Sequence, residues 1–271
     1  MMGGDGRVPR AVVVLGRAGL AARGVVYMTI GALAAMAGLG LGGGKVVDQR
    51  GAVRFLAGSP FGTYLLWGVA LGLAAYVLWR FSQAIIGPRD DGGTAKAIGK
   101  RLVAFGSGLA YAGIAATAFH QALGSSGGAA KGGGAQQQGA EFAMSHPLGR
   151  WIVAIVGVAV VAAGVAQFRR AYTAKFAKHL KAGAMSAAHG RWACRAGRVG
   201  YAARGVAFGI IGSFFLRAAL DEKASEAGGL AQALTSLAAH PSGPALLAIV
   251  GTGLALFGVY SLIEARYRRI E

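Results

Sequence analysis

Six long apolar windows punctuate the chain, at about 20–41, 62–80, 102–123, 150–168, 200–220 and 245–263. Each is long enough to cross a bilayer as a helix, which takes roughly 17–25 residues. The second, Phe61 to Trp79, and the sixth, Ala245 to Ile263, contain no charge. The fifth carries Arg204 near its start and Arg217 near its end, from which the two side chains are expected to snorkel to opposite interfaces. The pattern predicts an all-α membrane protein with six transmembrane helices.

The polar stretches between the windows separate by charge. Short cytoplasmic connections are enriched in Lys and Arg. Counting alternate connections puts 21 of the 28 basic residues on one side, while the acidic residues divide five and five. The rich side holds the N-terminal arm (Arg7, Arg10, Arg17, Arg23), the second and fourth connections, and the C-terminal Arg266, Arg268 and Arg269. Both termini are therefore expected in the cytoplasm. A signal peptide is the competing reading of the N-terminus, but the same string recurs inside the chain, where it cannot serve export.

That string is "GRAGLAARGVVYMTIG" from Gly16, and its later copy is "GRVGYAARGVAFGIIG" from Gly197; they agree at ten of sixteen positions. A degraded middle copy from Gly99 keeps Lys100 opposite Arg17 but has Gly106 and Ser107 where Arg23 and Gly24 stand. Each copy is followed by a short apolar stretch and a proline-glycine entry to a second span: "SPFG" at Ser59, "HPLG" at His146, "HPSG" at His240. A period near 90 residues means three two-helix units. An even helix count keeps the units parallel, so the expected arrangement is three parallel two-helix repeats about a pseudo-threefold axis. The divisions are a basic arm 1–15, repeats 16–90, 98–173 and 197–271, and a basic connection 174–196. Small residues such as the Gly68–Gly72 pair, with Gly157, Gly164, Gly209, Gly212, Gly253 and Gly258, are expected to let helices approach closely.

Composition narrows the picture. Hydrophobic residues make up 55% and charged residues 14%, far from the average of soluble chains. A net charge of +18 would suggest nucleic acid in a soluble protein. Here the charge alternates with spans, which argues against that partner. The one cysteine, Cys194, allows no intrachain disulfide and no metal cluster.

The repeated "GRxGxAARGVxxxxIG", the proline-glycine entries and the closing "YSLIEARYRRIE" from Tyr260 resemble the bacterial domain-of-unknown-function family 1206. The resemblance runs from about Gly16 to Glu271. It implies three repeats and six spans, and it implies no chemistry, because the family carries no established activity.

Candidate chemistry is sparse. "GLGLGGGK" from Gly38 fails as a phosphate loop, with Leu39 where a glycine is required and Val46 where Ser or Thr would reach magnesium. His120, His146 and His240 fall near the outer boundary, with Ser59 as the third repeat equivalent, so a threefold metal site would lack a ligand. His179 and His189 lie in the basic connection. No cofactor is expected, and no Ser/His/Asp set or paired carboxylate points to an enzyme.

Ionisable groups at membrane depth are costly and therefore suspect. Glu264 is the one acid close to a span, near the level of Arg23, Arg204 and Arg266; its pairing with Arg23 or Arg204 would clamp the first and last repeats together. Arg23 and Arg204 are expected at matching depths. The repeat-equivalent Arg80, Gln167 and Ser261 would line a central path if their faces converge. Tyr27, Tyr64, Trp67, Trp79, Tyr111, Trp151, Tyr201 and Tyr260 include several expected interfacial anchors. Lys175, Lys178 and Lys181 form a helical stripe suited to an anionic inner leaflet. The low-complexity loop Gly124 to Gly139 is expected to be unstructured.

These readings favour a noncatalytic accessory protein of a bacterial-type inner membrane, binding lipid or a membrane-protein partner. A small transporter or channel along the repeat axis is the alternative. A polar path against a packed core at that axis separates the two.

Overall fold

The computed structural model describes residues 10–86, 95–124, 135–174, 176 and 186–267. Among them the chain is helical with no strand. Six long helices, α1 (Arg10–Gly38), α3 (Gly62–Ile86), α4 (Ala95–Ala122), α6 (Gly149–Thr173), α7 (Ala187–Leu220) and α9 (Gly243–Tyr267), alternate with short ones, α2 (Gln49–Ala57), α5 (Ala135–Met144) and α8 (Leu230–Ala238). Each long helix contains a stretch long and apolar enough to cross a membrane. The six predicted spans are these six helices, the architecture of a multi-pass membrane protein.

The helices outrun the hydropathy windows, and chiefly at the basic end. The first starts at Arg10, the second runs on to Ile86, the third starts at Ala95 and the fifth at Ala187. Hydropathy stops where Lys and Arg begin, but the Ala, Arg and Lys found there are strong helix formers, and hydrogen bonding continues. Ala187 to Ala196, read as part of the basic connection, are thus the first turns of α7.

Each connection at the end away from the termini contains a short helix that the hydropathy pattern left as an apolar stretch. Asp48 caps the first of them, accepting from the Gly51 N–H at 2.7 Å. Ala135–Met144 forms α5, so the later part of the loop expected to be unstructured is helix. Gln137 anchors it, donating to the Ser225 carbonyl at 2.6 Å. The same turn then closes all three connections. The N–H of Gly62, Gly149 and Gly243 donates to the carbonyl of Ser59, His146 and His240 at 2.8, 3.0 and 2.7 Å. A side chain at any of these glycines would strike the carbonyl oxygen of Ala57, Ala143 or Ala238.

The long helices pack in the order α4, α3, α1, α9, α7, α6. Within the first unit, Gly19 lies against Tyr76 and Gly72 against Ala22; within the third, Gly200 lies against Phe257 and Gly253 against Ala203. These are repeat-equivalent contacts. In the middle unit the small residues are replaced by Leu102 and Phe105, 66% and 52% exposed, and α4 and α6 share no comparable interface. The ring that a closed threefold would need is open at that place.

Contacts between units also recur. Gly24 and Gly31 of α1 meet Gly258 and Gly251 of α9, as Gly205 and Gly212 of α7 meet Gly164 and Gly157 of α6. The Gly68–Gly72 pair divides: Gly72 abuts Ala18 and Ala22, whereas Gly68 and also Gly209 have open space where a side chain would stand. A Cβ on Gly31 would fall on the backbone of Gly251 and Ala255. Gly31→Leu should therefore force α1 off α9 and cost more than the roughly 1–3 kcal/mol of ordinary overpacking. Gly68→Leu should leave the thermal midpoint in detergent within about a degree of wild type; equal losses for both variants would contradict the packing described.

Candidate functional site: a buried arginine cluster

The small residues that bring α1 and α9 together also place a charge between them. Glycines at 24 and 31 fix which face of α1 turns to α9, and Arg23, next to the first, is carried into the seam, 8% exposed. Burying a guanidinium is unfavourable unless it is paired and hydrogen-bonded. Arg23 donates through Nη2 to Glu264 Oε2 and Ser261 Oγ, both at 3.3 Å, and through Nη1 to the Tyr76 hydroxyl at 3.4 Å. The rings of Tyr76 and Phe257 lie 5.7 and 5.2 Å from the guanidinium carbon. Attraction to the ring quadrupoles adds to the ion pair. Glu264 is itself 5% exposed and Ser261 fully buried.

Arg204, the repeat equivalent in α7, is held differently. Its guanidinium carbon stands 4.4 Å from the centre of the Phe257 ring, 5.1 Å from Phe208 and 5.2 Å from Tyr27. The side chain lies against three rings and stays half-buried. Arg217 is exposed near the far end of the same helix. Arg23 stands 15 residues before the end of α1 at Gly38, and Arg204 stands 16 before the end of α7 at Leu220. Both lie against the Phe257 ring, their guanidinium carbons 5.2 and 4.4 Å from its centre.

The other site residues scatter. Arg80 donates from Nε to the Tyr76 hydroxyl at 3.0 Å and from Nη1 to Gln83 Oε1 at 3.1 Å, continuing the cluster onto α3. Ser261 belongs to the Arg23 network. Gln167 is 7% exposed, with an unpaired Oε1. Arg80, Gln167 and Ser261 thus stand on three different helices, two of them bonded into the aromatic network. Arg266 is exposed. Lys175, Lys178 and Lys181 lie outside the described residues. His146 and His240 are exposed, and among the described residues no three His, Cys, Asp or Glu side chains gather as a metal site.

Tyr76, Phe257 and Phe176 belong to the cluster without having been singled out by sequence. Phe176 packs with ring centres 5.0 Å from both Tyr201 and Tyr260, pinning the start of the basic connection to the core. Tyr27, Trp79, Tyr201 and Tyr260, grouped with the expected interfacial anchors, are interior residues. Tyr64 and Trp151 remain exposed at 81% and 57%. The available signal was the repeat itself, since Tyr76 and Phe257 occupy equivalent positions four residues before Arg80 and Ser261.

Removing one member of a buried pair leaves an uncompensated charge, typically worth 3–5 kcal/mol. Glu264→Gln should lower the thermal midpoint in detergent sharply, and Arg23→Gln should do the same. The double variant should lose less than the two single losses added together, by at least about 1 kcal/mol. Strict additivity in that cycle would show that the two side chains do not interact.

Comparison with known proteins gives no activity to attach to this cluster. A curated relative, "Uncharacterized protein YxxB" of Bacillus subtilis (strain 168), is 29% identical over 255 residues, covering 94% of this chain and 90% of the relative. No solved structure matches. The model of the family described as Domain of Unknown Function (DUF1206) matches three times, at residues 18–87, 102–174 and 199–268. With three repeats matched across most of its length, the chain belongs to the DUF1206 family.

Proposed function

We propose that this protein is a noncatalytic accessory component of a bacterial cell membrane that holds anionic lipid against its peripheral helices, with both termini in the cytoplasm. The observation that carries this reading is the contrast between centre and periphery. At the centre, α1 and α9 touch backbone to backbone, and Arg23, Ser261 and Glu264 are bonded to one another under the rings of Tyr76 and Phe257. At the periphery, α4 and α6 present Leu102, Val103, Phe105 and Leu109, and Trp151, Ile155, Val158 and Val165, all more than half exposed. Apolar area of that extent is a surface for lipid or a partner. The bias of Lys and Arg toward the end that bears the termini supports the orientation and an anionic leaflet beside it.

The transporter or channel reading draws on the same buried arginines. It is disfavoured because Arg23 is locked by an acid, two hydroxyls and two ring faces, which leaves a mobile ion little to coordinate.

Two measurements test the proposal. Reconstituted into liposomes, the protein should leave a broad panel of ions and small solutes impermeant; reproducible flux above empty vesicles would sink the accessory role. In a Cys194→Ser background, Leu41→Cys in the exposed turn after α1 should react with an impermeant thiol reagent added outside intact cells. Labelling only after the cells are opened would reverse the orientation.

A further inference from the structure

The two arginine seams are built on one plan, and only one of them is complete. Gly24 of α1 meets Gly258 of α9, and Gly205 of α7 meets Gly164 of α6, so Arg23 and Arg204 stand beside equivalent glycine contacts, the Arg204 guanidinium lying against rings of α1, α7 and α9. In the first seam, Ser261 and Glu264, three residues apart on α9, accept from Nη2 of the guanidinium, whose Nε has no partner. The residues at those places on α6 are Gln167 and Arg170. The acid has been replaced by a second arginine.

The consequence is visible in the unsatisfied atoms. The Nε of Arg23 and that of Arg204 are both buried without a partner, but Arg23 is bonded through both Nη atoms, whereas among the described residues Arg204 makes no hydrogen bond or ion pair. Leaving such groups unmatched costs on the order of 1–3 kcal/mol each. Tyr27, Phe208 and Phe257 cover the Arg204 guanidinium with ring contacts, but ring faces do not satisfy its N–H donors. In the first seam such donors reach Ser261 and Glu264.

We propose that the α6·α7 seam binds an anionic phosphate group, which takes the place that Glu264 fills between α1 and α9. Arg204 supplies a planar, permanently charged fork matched to two phosphate oxygens. Arg170, exposed in the last turn of α6, supplies a second charge. Arg204 is half-buried rather than enclosed, so the seam is open to a headgroup from the adjoining leaflet. A lipid phosphodiester and free phosphate present the same chemistry. The choice of lipid deepens the lipid-holding reading above and rests on it, whereas the anion site itself does not.

The test uses the full chain purified in detergent, with lipid retention read by native mass spectrometry and anion binding read as a shift in thermal midpoint. Phosphatidylglycerol should bind at least tenfold more tightly than phosphatidylcholine. Arg170→Glu, at an exposed position that tolerates substitution, should weaken phosphatidylglycerol binding at least tenfold and raise the midpoint of the lipid-free protein, because it returns the missing acid. Arg169→Glu makes the same charge change one residue away, also exposed, and should leave both readouts near wild type. Arg204→Lys, which keeps the charge but loses the fork, should weaken binding several-fold.

Equal affinity of wild type and Arg170→Glu for phosphatidylglycerol, or equal effects of Arg169→Glu and Arg170→Glu, would overturn the site. So would a wild-type protein that distinguishes neither phosphatidylglycerol nor inorganic phosphate from neutral lipid. Stabilisation by inorganic phosphate that Arg170→Glu abolishes, without preference for phosphatidylglycerol, would uphold the anion site and reject the lipid as its source. Solute flux in liposomes would reject the accessory role while leaving the site standing, so the two failures are distinguishable.

Discussion

The first and last long helices of the chain approach until their glycine backbones touch, and this contact sets the terms for everything around it. Gly24 and Gly31 of α1 against Gly258 and Gly251 of α9 leave no room for side chains in the seam. In lipid, apolar side chains gain little by leaving the solvent, so such close approach, with its dispersion contacts, is what holds helices together. It also removes any freedom in how α1 is rotated. Once Gly24 faces α9, Arg23 must enter the interface, and an acid in the right turn of α9 is needed to balance it. Glu264 stands there, and Ser261, Tyr76 and Phe257 complete the surroundings.

The three units share this plan but not its outcome. The outer two keep the small residues at positions 19 and 22, and 200 and 203, against which the second helix of the same unit packs. The middle unit puts Leu102 and Phe105 there, and its helices separate, each resting on a neighbouring unit instead. The side chains that prevent internal packing become an exposed apolar surface. Arg23 has its acid in the first seam, Arg204 has rings and no acid in the second, and in the third Gly106 takes the place of that arginine while Arg80 stands on the facing helix. Repetition supplied the geometry, and substitution at single positions gave each seam a different electrostatic character.

Much of the fold was legible because hydropathy acts over long windows. Six spans and three repeats follow from a bilayer's thickness and from self-similarity, both of which survive ignorance of every contact. The helix ends were misjudged at the basic side because hydropathy marks where lipid stops and hydrogen bonding marks where helix stops. The short helices between paired spans escaped for a related reason. Nine or ten residues are too few for a lipid signature, and their apolar faces rest on the long helices rather than on the bilayer.

At the cluster, the sequence by itself determined that Arg23 and Arg204 stand at equivalent places and that Glu264 is the acid near them. These follow from the repeat and from the scarcity of charge in the spans. The tertiary structure decided that Glu264 pairs with Arg23 and that Arg204 is wrapped in rings. It also turned Tyr27, Tyr76, Tyr201 and Tyr260 inward. Partner choice depends on which helices meet and on how each is rotated. That rotation is fixed by glycine contacts between segments more than 200 residues apart, a distance over which periodicity carries no information.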